Sequence, residues 1–244
     1  MAEDRVELIR ANMAKAQAQI AAACGRVGRP ANSVRLVVVT KSQPIETVRA
    51  AVRAGATLLG ENYPEESLAK IEDLRGEAVE WHMIGHLQSR KAKIVTDHFA
   101  MLQSLDSLSL AEKLERRLAE TNKKLPVLLE VNVSGEESKF GLPCWDADSQ
   151  AVFFLTVEDI LRLPHVEMRG LMTMPPLDED PERVRPFFRR VKQLQVQLQD
   201  RYPQCRWDEL SMGTSTDFAA AVEEGATLVR LGTAIVGPRI YKTP

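Results

Sequence analysis

Lys41 follows the run Leu36-Val37-Val38-Val39-Thr40, so its amine stands where an apolar segment gives way to a polar turn. Desolvation there lowers a lysine's pKa and frees the amine as a nucleophile toward a carbonyl. The competing reading is a lysine that snorkels into solvent from a strand end. Ser211-Met212-Gly213-Thr214-Ser215 places hydroxyls and a glycine just before a helical stretch, and Gly232-Thr233 follows another apolar run. N–H groups that converge at such a helix start bind an anion, phosphate above all. Plain capping by Thr214 or Ser215, with Asp217 in the first turn, accounts for the same residues. Arg230 interrupts Leu228-Val229-Arg230-Leu231, and a guanidinium there needs a partner, either a ligand or a structural ion pair. His82 and His86 are spaced like a metal pair, but Gly85 and the strand-like residues before it break the helix that such a pair needs, so hydrogen bonding is expected of both. The charged stretch 134–141 reads as a solvated turn, and Arg183, Arg185, Arg189 and Arg190 as the wet face of a helix.

The elements that must position these residues alternate along the chain. Val6, Ile9, Met13, Ala16 and Ile20 recur at helical spacing, which predicts an N-terminal helix over about 2–24, ended by Gly25, Gly28 and Pro30. Strands are expected at 34–40, 57–60, 79–84, 99–102, 126–133, 166–172, 209–212 and 227–231. Helices are expected at 45–54, 64–74, 91–95, 108–121, 152–163, 183–198 and 218–224. Strictly alternating βα units imply parallel strands with helices outside, and eight of them close into a TIM barrel of about 250 residues. The fold class is therefore α/β, a (β/α)8 barrel over about 34–240 within a single domain spanning 1–244. A doubly wound sheet competes, but no GxGxxG follows the first strand. In a barrel the chemistry sits at the strands' carboxyl ends, which is where Lys41, His86, Ser211 and Gly232 fall.

Composition bounds the function. The 244 residues are 44% hydrophobic and 27% charged with a net charge of −2, so no global basic field recruits nucleic acid or an anionic membrane. Cys24, Cys144 and Cys205 lie too far apart for a thiolate cluster or a disulfide framework, the N-terminus carries no signal-peptide pattern, and no run reaches the roughly 18 apolar residues of a membrane span. The expected setting is the cytoplasm.

Seven motifs in order carry a specific likeness: Val38-Val39-Thr40-Lys41, Gly60-Glu61-Asn62-Tyr63, 81–88 (WHMIGHLQ), 137–141 (ESKFG), 169–176 (RGLMTMPP), Ser211-Met212-Gly213, and 229–235 (VRLGTAI). Together they resemble the pyridoxal phosphate homeostasis proteins, relatives of the alanine racemase barrel, from about Val34 to Tyr241. The resemblance implies pyridoxal 5'-phosphate (PLP) as cofactor, held as a Schiff base on Lys41. It implies that Arg230 faces the pyridine nitrogen, where a cation keeps that nitrogen unprotonated and weakens the electron sink. It also implies that Ser211, Gly213, Gly232 and Thr233 hold the phosphate with Met212 and Ser215 beside them, and that Asn62 and His82 line the cofactor face. No residue is assigned a catalytic step. Thr214 and Thr216 depart from the usual pattern.

The expected role is a carrier and buffer of PLP in vitamin B6 and amino-acid homeostasis. Apo-forms of PLP enzymes are the expected recipients, and a monomer or weak dimer the expected assembly. An amino-acid racemase is the alternative. It needs an acid/base on each face of the substrate, and the racemases of this likeness take the second from an appended domain, for which a chain stopping at Pro244 leaves no room. A Schiff-base aldolase would use Lys41 without needing Arg230.

Overall fold

The computed structural model describes residues 2–238, so the expected barrel limit at 240 lies outside the described residues. Among the described residues nine strands form, β1 (Arg35–Val39), β2 (Leu58–Glu61), β3 (Glu80–Met83), β4 (Met101–Leu105), β5 (Leu125–Asn132), β6 (Leu142–Pro143), β7 (Val166–Met172), β8 (Glu209–Ser211) and β9 (Leu228–Leu231). Eight run in the order β4-β3-β2-β1-β9-β8-β7-β5, and β5 pairs back onto β4, so the sheet closes. Every pairing is parallel. The two-residue β6, which no apolar run announced, pairs only with β5 beside the barrel.

The period of two along the strands sorts the side chains into two compartments. Outward residues such as Val38, Leu59, Met83, Leu129 and Leu231 pack against the helices. Val37, Leu58, Met101, Leu128, Met172 and Leu228 form a separate apolar cluster inside the barrel. Close strand packing is enforced at Gly170 in β7, which stands opposite Glu209 of β8. Its φ is +152°, and a Cβ there would sit 1.8 Å from the Glu209 carbonyl oxygen.

Between the strands lie α2 (Ile45–Arg53), α3 (Pro64–Asp73), α4 (Ala92–His98), α5 (Leu108–Thr121), α6 (Ala147–Ile160), α7 (Pro181–Arg201) and α8 (Phe218–Glu223), and the four-residue α9 (Thr233–Val236) follows β9. The first helix, α1 (Ala2–Arg26), buries the apolar stripe read from the sequence, Val6, Ile9, Met13, Ala16 and Ile20. It packs on α2, α8 and α9 and so covers the seam where β9 meets β1. Asn12 Nδ2 donates to the Ile235 carbonyl at 3.0 Å, and Arg5 donates to Thr47 Oγ1 at 2.6 Å.

α6 begins five residues before the apolar pattern suggested, because Asp146 caps it. The Asp146 carboxylate accepts from the Ser149 N–H at 2.8 Å, and Ser149 Oγ accepts from the Asp146 N–H at 3.1 Å. Asp146→Ala is expected to lower stability by about 1 kcal/mol in urea denaturation; an unchanged midpoint would mean that tertiary packing alone sets this helix end.

Arg183, Arg189 and Arg190 of α7 are exposed, as the charge run implied, and Arg185 is half-buried, but the row is tied down by partners. Arg185 pairs with Glu182, Glu223 and Glu224, Arg189 pairs with Glu224, and Arg190 donates to the Val133 carbonyl at 2.7 Å. Three of these partners lie more than thirty residues away in sequence, so spacing along α7 carries no sign of them.

Candidate functional site

At the carboxyl ends of the strands opens a cavity of about 690 Å³, within the size range of small-molecule sites. Lys41, Asn62, Ser215, Arg230, Gly232 and Thr233 all line it, drawn from the ends of β1, β2, β8 and β9. His82, Ser211, Met212 and Gly213 do not.

Lys41 is half-buried in a tight turn after β1, in which the Gln43 N–H donates to the Thr40 carbonyl at 3.1 Å. Ser42 takes a φ of +56°, uncommon without glycine. A polar cluster holds the turn from behind. Lys70 of α3, itself buried, donates to the Thr40 carbonyl at 2.9 Å, to Glu61 Oε1 at 2.9 Å and to Glu66 Oε1 at 3.2 Å. Thr40 Oγ1 donates to Glu61 Oε1 at 2.6 Å, and the Ser42 N–H donates to Glu66 Oε1 at 3.1 Å. Burial pushes the Glu61 carboxyl above its ordinary range, while Lys70 and Thr40 pull it back. Glu61 and Lys70 thus fix the backbone from which Lys41 projects.

Arg230 is held at both terminal nitrogens. Its Nη1 donates to Ser211 Oγ at 2.6 Å, and its Nη2 to the Thr173 carbonyl at 2.9 Å with Met174 Sδ at 2.8 Å. Burial lowers the guanidinium to about 10, with Glu130 and Asp217 acting the other way, so it stays charged near neutrality. Glu130 of β5, which sequence reading passed over, also lines the cavity, and its Oε2 is buried without a hydrogen-bond partner. Asn62 Oδ1 is a second buried acceptor left unmatched.

The wall expected to take an anion is built from Thr214, Ser215, Gly232 and Thr233. Thr214, set apart in the sequence as a departure, faces the cavity, and its N–H and hydroxyl donate to Asp217 Oδ1 at 2.5 and 3.1 Å. Neither Thr214 nor Ser215 caps α8, because Asp217 occupies that position. Ser211 is turned inward to Arg230 by strand alternation, and Met212 turns outward into the core. Gly213 has φ +93° and a Cβ there would meet Ala221 at 2.6 Å, so glycine lets the loop lie on α8.

The stretch 134–141 is not a free turn either. Asn132 binds it at both amide atoms, and Ser138, Lys139 and Phe140 reach the cavity. The Phe140 ring stacks on His86 at 4.2 Å, and His86 Nδ1 lies 2.7 Å from Asp106 Oδ2. His82 instead points into the barrel, 2.7 Å from Gln103 Nε2, so the two histidines share no site. Burial holds His82 below the ordinary histidine range, against the pull of Glu80.

Amine, guanidinium, hydroxyls and backbone N–H groups around one cavity suit a small anion that carries a carbonyl group. Comparisons with known proteins agree with that chemistry. The chain matches the alanine racemase N-terminal domain model over residues 11–239. It is 41% identical over 223 residues to the pyridoxal phosphate homeostasis protein of Aquifex aeolicus, covering 91% of this chain and 95% of that one. The chain belongs to the pyridoxal phosphate homeostasis protein family. A second member, from Vibrio cholerae, is 40% identical over 237 residues, covering 96% and 97% of the two chains. Among solved structures, PipY of Synechococcus elongatus with PLP bound superimposes with a TM-score of 0.79 at 33% identity, covering 94% of this chain and all of that one. An alanine racemase of Clostridium difficile gives a TM-score of 0.72 at 12% identity, a likeness of fold, with 59% of that chain covered.

Proposed function

We propose that this chain binds PLP in the strand-end cavity, held through the amine of Lys41, and acts in the cytoplasm as a carrier that buffers the cofactor and releases it to apo-forms of PLP enzymes. The observation that carries this reading is the meeting of Lys41 and Arg230, from β1 and β9, on one cavity whose adjoining loops after β8 and β9 offer Thr214, Ser215, Gly232 and Thr233. The residues present fit the group. The cavity volume admits it, a half-buried lysine stands at the rim, and two buried acceptors, on Asn62 and Glu130, await partners.

Bound there, PLP supplies an electrophilic aldehyde and an electron-withdrawing ring. Lys41 would hold it through its amine. Ser215, Gly232 and Thr233 would hold the phosphate through hydroxyl and N–H groups, with Thr214 in the same wall. Arg230, pinned by Ser211 and Thr173, presents a fixed cation that disfavours a second positive charge on the ring nitrogen. Ser211 and His82 act on the ligand through Arg230 and not by touching it. The names of the relatives matched nearly end to end support a carrier over a racemase.

The test is borohydride trapping of the PLP-loaded protein followed by peptide mapping. The label is expected on the peptide that contains Lys41 and is expected to vanish in Lys41→Ala. A label on another lysine, or a protein that stays colourless with PLP, would overturn the site. Racemisation of alanine above the Lys41→Ala background would overturn the carrier role.

A further inference from the structure

Behind the cavity wall, four side chains from four strands form one continuous hydrogen-bonded line across the barrel, with Glu80 facing its far end. Arg230 Nη1 on β9 meets Ser211 Oγ on β8 at 2.6 Å, Ser211 Oγ meets Gln103 Oε1 on β4 at 2.6 Å, and Gln103 Nε2 meets His82 Nδ1 on β3 at 2.7 Å. His82 Nε2 then faces Glu80 Oε2 at 3.7 Å. The four inner members are almost wholly buried, so water does not substitute for a missing partner.

The direction of the line is forced from its Arg230 end. A guanidinium carries only donors, so Ser211 accepts from it and its single hydroxyl hydrogen goes to Gln103. The Gln103 oxygen is thereby taken and its NH2 group turns to His82. Nδ1 of His82 must then be a bare acceptor, and its proton sits on Nε2, toward Glu80. Arg35 and Glu209 are the other charged groups that act on this histidine.

We infer that Gln103 and His82 are positioning residues for Arg230. They lock the Ser211 hydroxyl as an acceptor, which fixes the plane and direction of the guanidinium toward the cavity. The inference deepens the PLP reading, on which its ligand-binding part rests, while the line itself is a property of the ligand-free protein.

The first measurement is 15N NMR of the histidine ring nitrogens in ligand-free protein, with His82 assigned by loss of its signals in His82→Asn. An unprotonated Nδ1 and a protonated Nε2 are expected at neutral pH; a proton on Nδ1 would overturn the line. In Gln103→Glu the replacement only accepts, so a proton is expected to move onto His82 Nδ1, and an unmoved tautomer would refute the coupling. Gln103→Leu cuts the line while leaving Lys41 and the anion wall intact, and a thermal melt confirms that the variant is folded. Exchange of the Arg230 guanidinium hydrogens with solvent, followed by NMR on the ligand-free protein, is expected to quicken at least about tenfold, and PLP affinity to fall about tenfold. Unchanged guanidinium exchange would overturn the positioning role. If exchange quickens and the wild-type protein nonetheless fails to bind PLP, the ligand reading falls and the positioning of Arg230 stands.

Discussion

Lys70→Ala is expected to destabilise the protein by roughly 3–5 kcal/mol, because truncating one side of a buried ion pair strands the other charge. Glu61 has no exposed surface and lies 2.9 Å from the ammonium it would lose. Its second oxygen, Oε2, already lacks a hydrogen-bond partner, so nothing nearby takes over. Protonation is the only inexpensive escape, and burial already drives Glu61 in that direction. The same substitution removes one of the two donors on the Thr40 carbonyl, one residue before Lys41, and leaves Glu66 to hold the Ser42 N–H without its lysine partner. Urea denaturation reads the stability and borohydride trapping reads Lys41, and both are expected to fall together. Replacing the pair at once, Glu61→Gln with Lys70→Met, removes both charges and is expected to recover most of the stability, since no buried charge is left stranded and the glutamine keeps an oxygen to accept from Thr40 Oγ1. Trapping is expected to stay impaired in that double variant, because the Thr40 carbonyl keeps only the Gln43 N–H of its two donors. A loss below about 1 kcal/mol in Lys70→Ala would show that the pair is hydrated and contributes as little as a surface bridge.

What could be read in the sequence follows from what is local. Eight apolar runs separated by helix-length segments give the barrel, because burial of a parallel strand on both faces leaves a continuous hydrophobic run. β4 shows where that fails. The run ends at Leu102, yet the strand continues to Leu105, since Gln103 points into the barrel and finds Ser211 and His82 there. A polar side chain inside a barrel breaks the hydrophobic pattern without breaking the strand, and its partners come from strands distant in sequence. Lys41 and Arg230 could be singled out because a charge at the edge of, or within, an apolar run demands a reason. Ser211 and Gly213 belong to the right motif, but only strand parity and the approach of α8 show which way each faces. Glu130 gave no signal at all, being one carboxylate in Leu128-Leu129-Glu130-Val131, and only its place on the cavity wall marks it.

Glu130 also sets the expected pH dependence. Burial raises its carboxyl from 4.5 to about 7, with Asp106 adding to the rise and Arg230 opposing it. Between those two values the folded protein holds a proton that the unfolded chain has released, so stability falls as pH rises through the window. The contribution is fully present below the unfolded value and is lost above about 7. Glu130→Gln keeps the shape and removes the titration. It is expected to match the wild type near pH 5 and to exceed it by up to about 3 kcal/mol near pH 8, as urea denaturation at the two values measures. Groups common to both proteins, the four histidines included, cancel in that difference. Parallel pH profiles would assign the titration elsewhere. The same proton bears on the cavity. Below about 7 a neutral Glu130 can donate a hydrogen bond to an anion, and above it the cavity gains a negative charge among the cations Arg230, Lys41, Lys91 and Lys139 that line it. PLP affinity is therefore expected to weaken through neutrality in the wild type and to stay level in Glu130→Gln, which makes this carboxyl a determinant of when a carrier lets its cargo go.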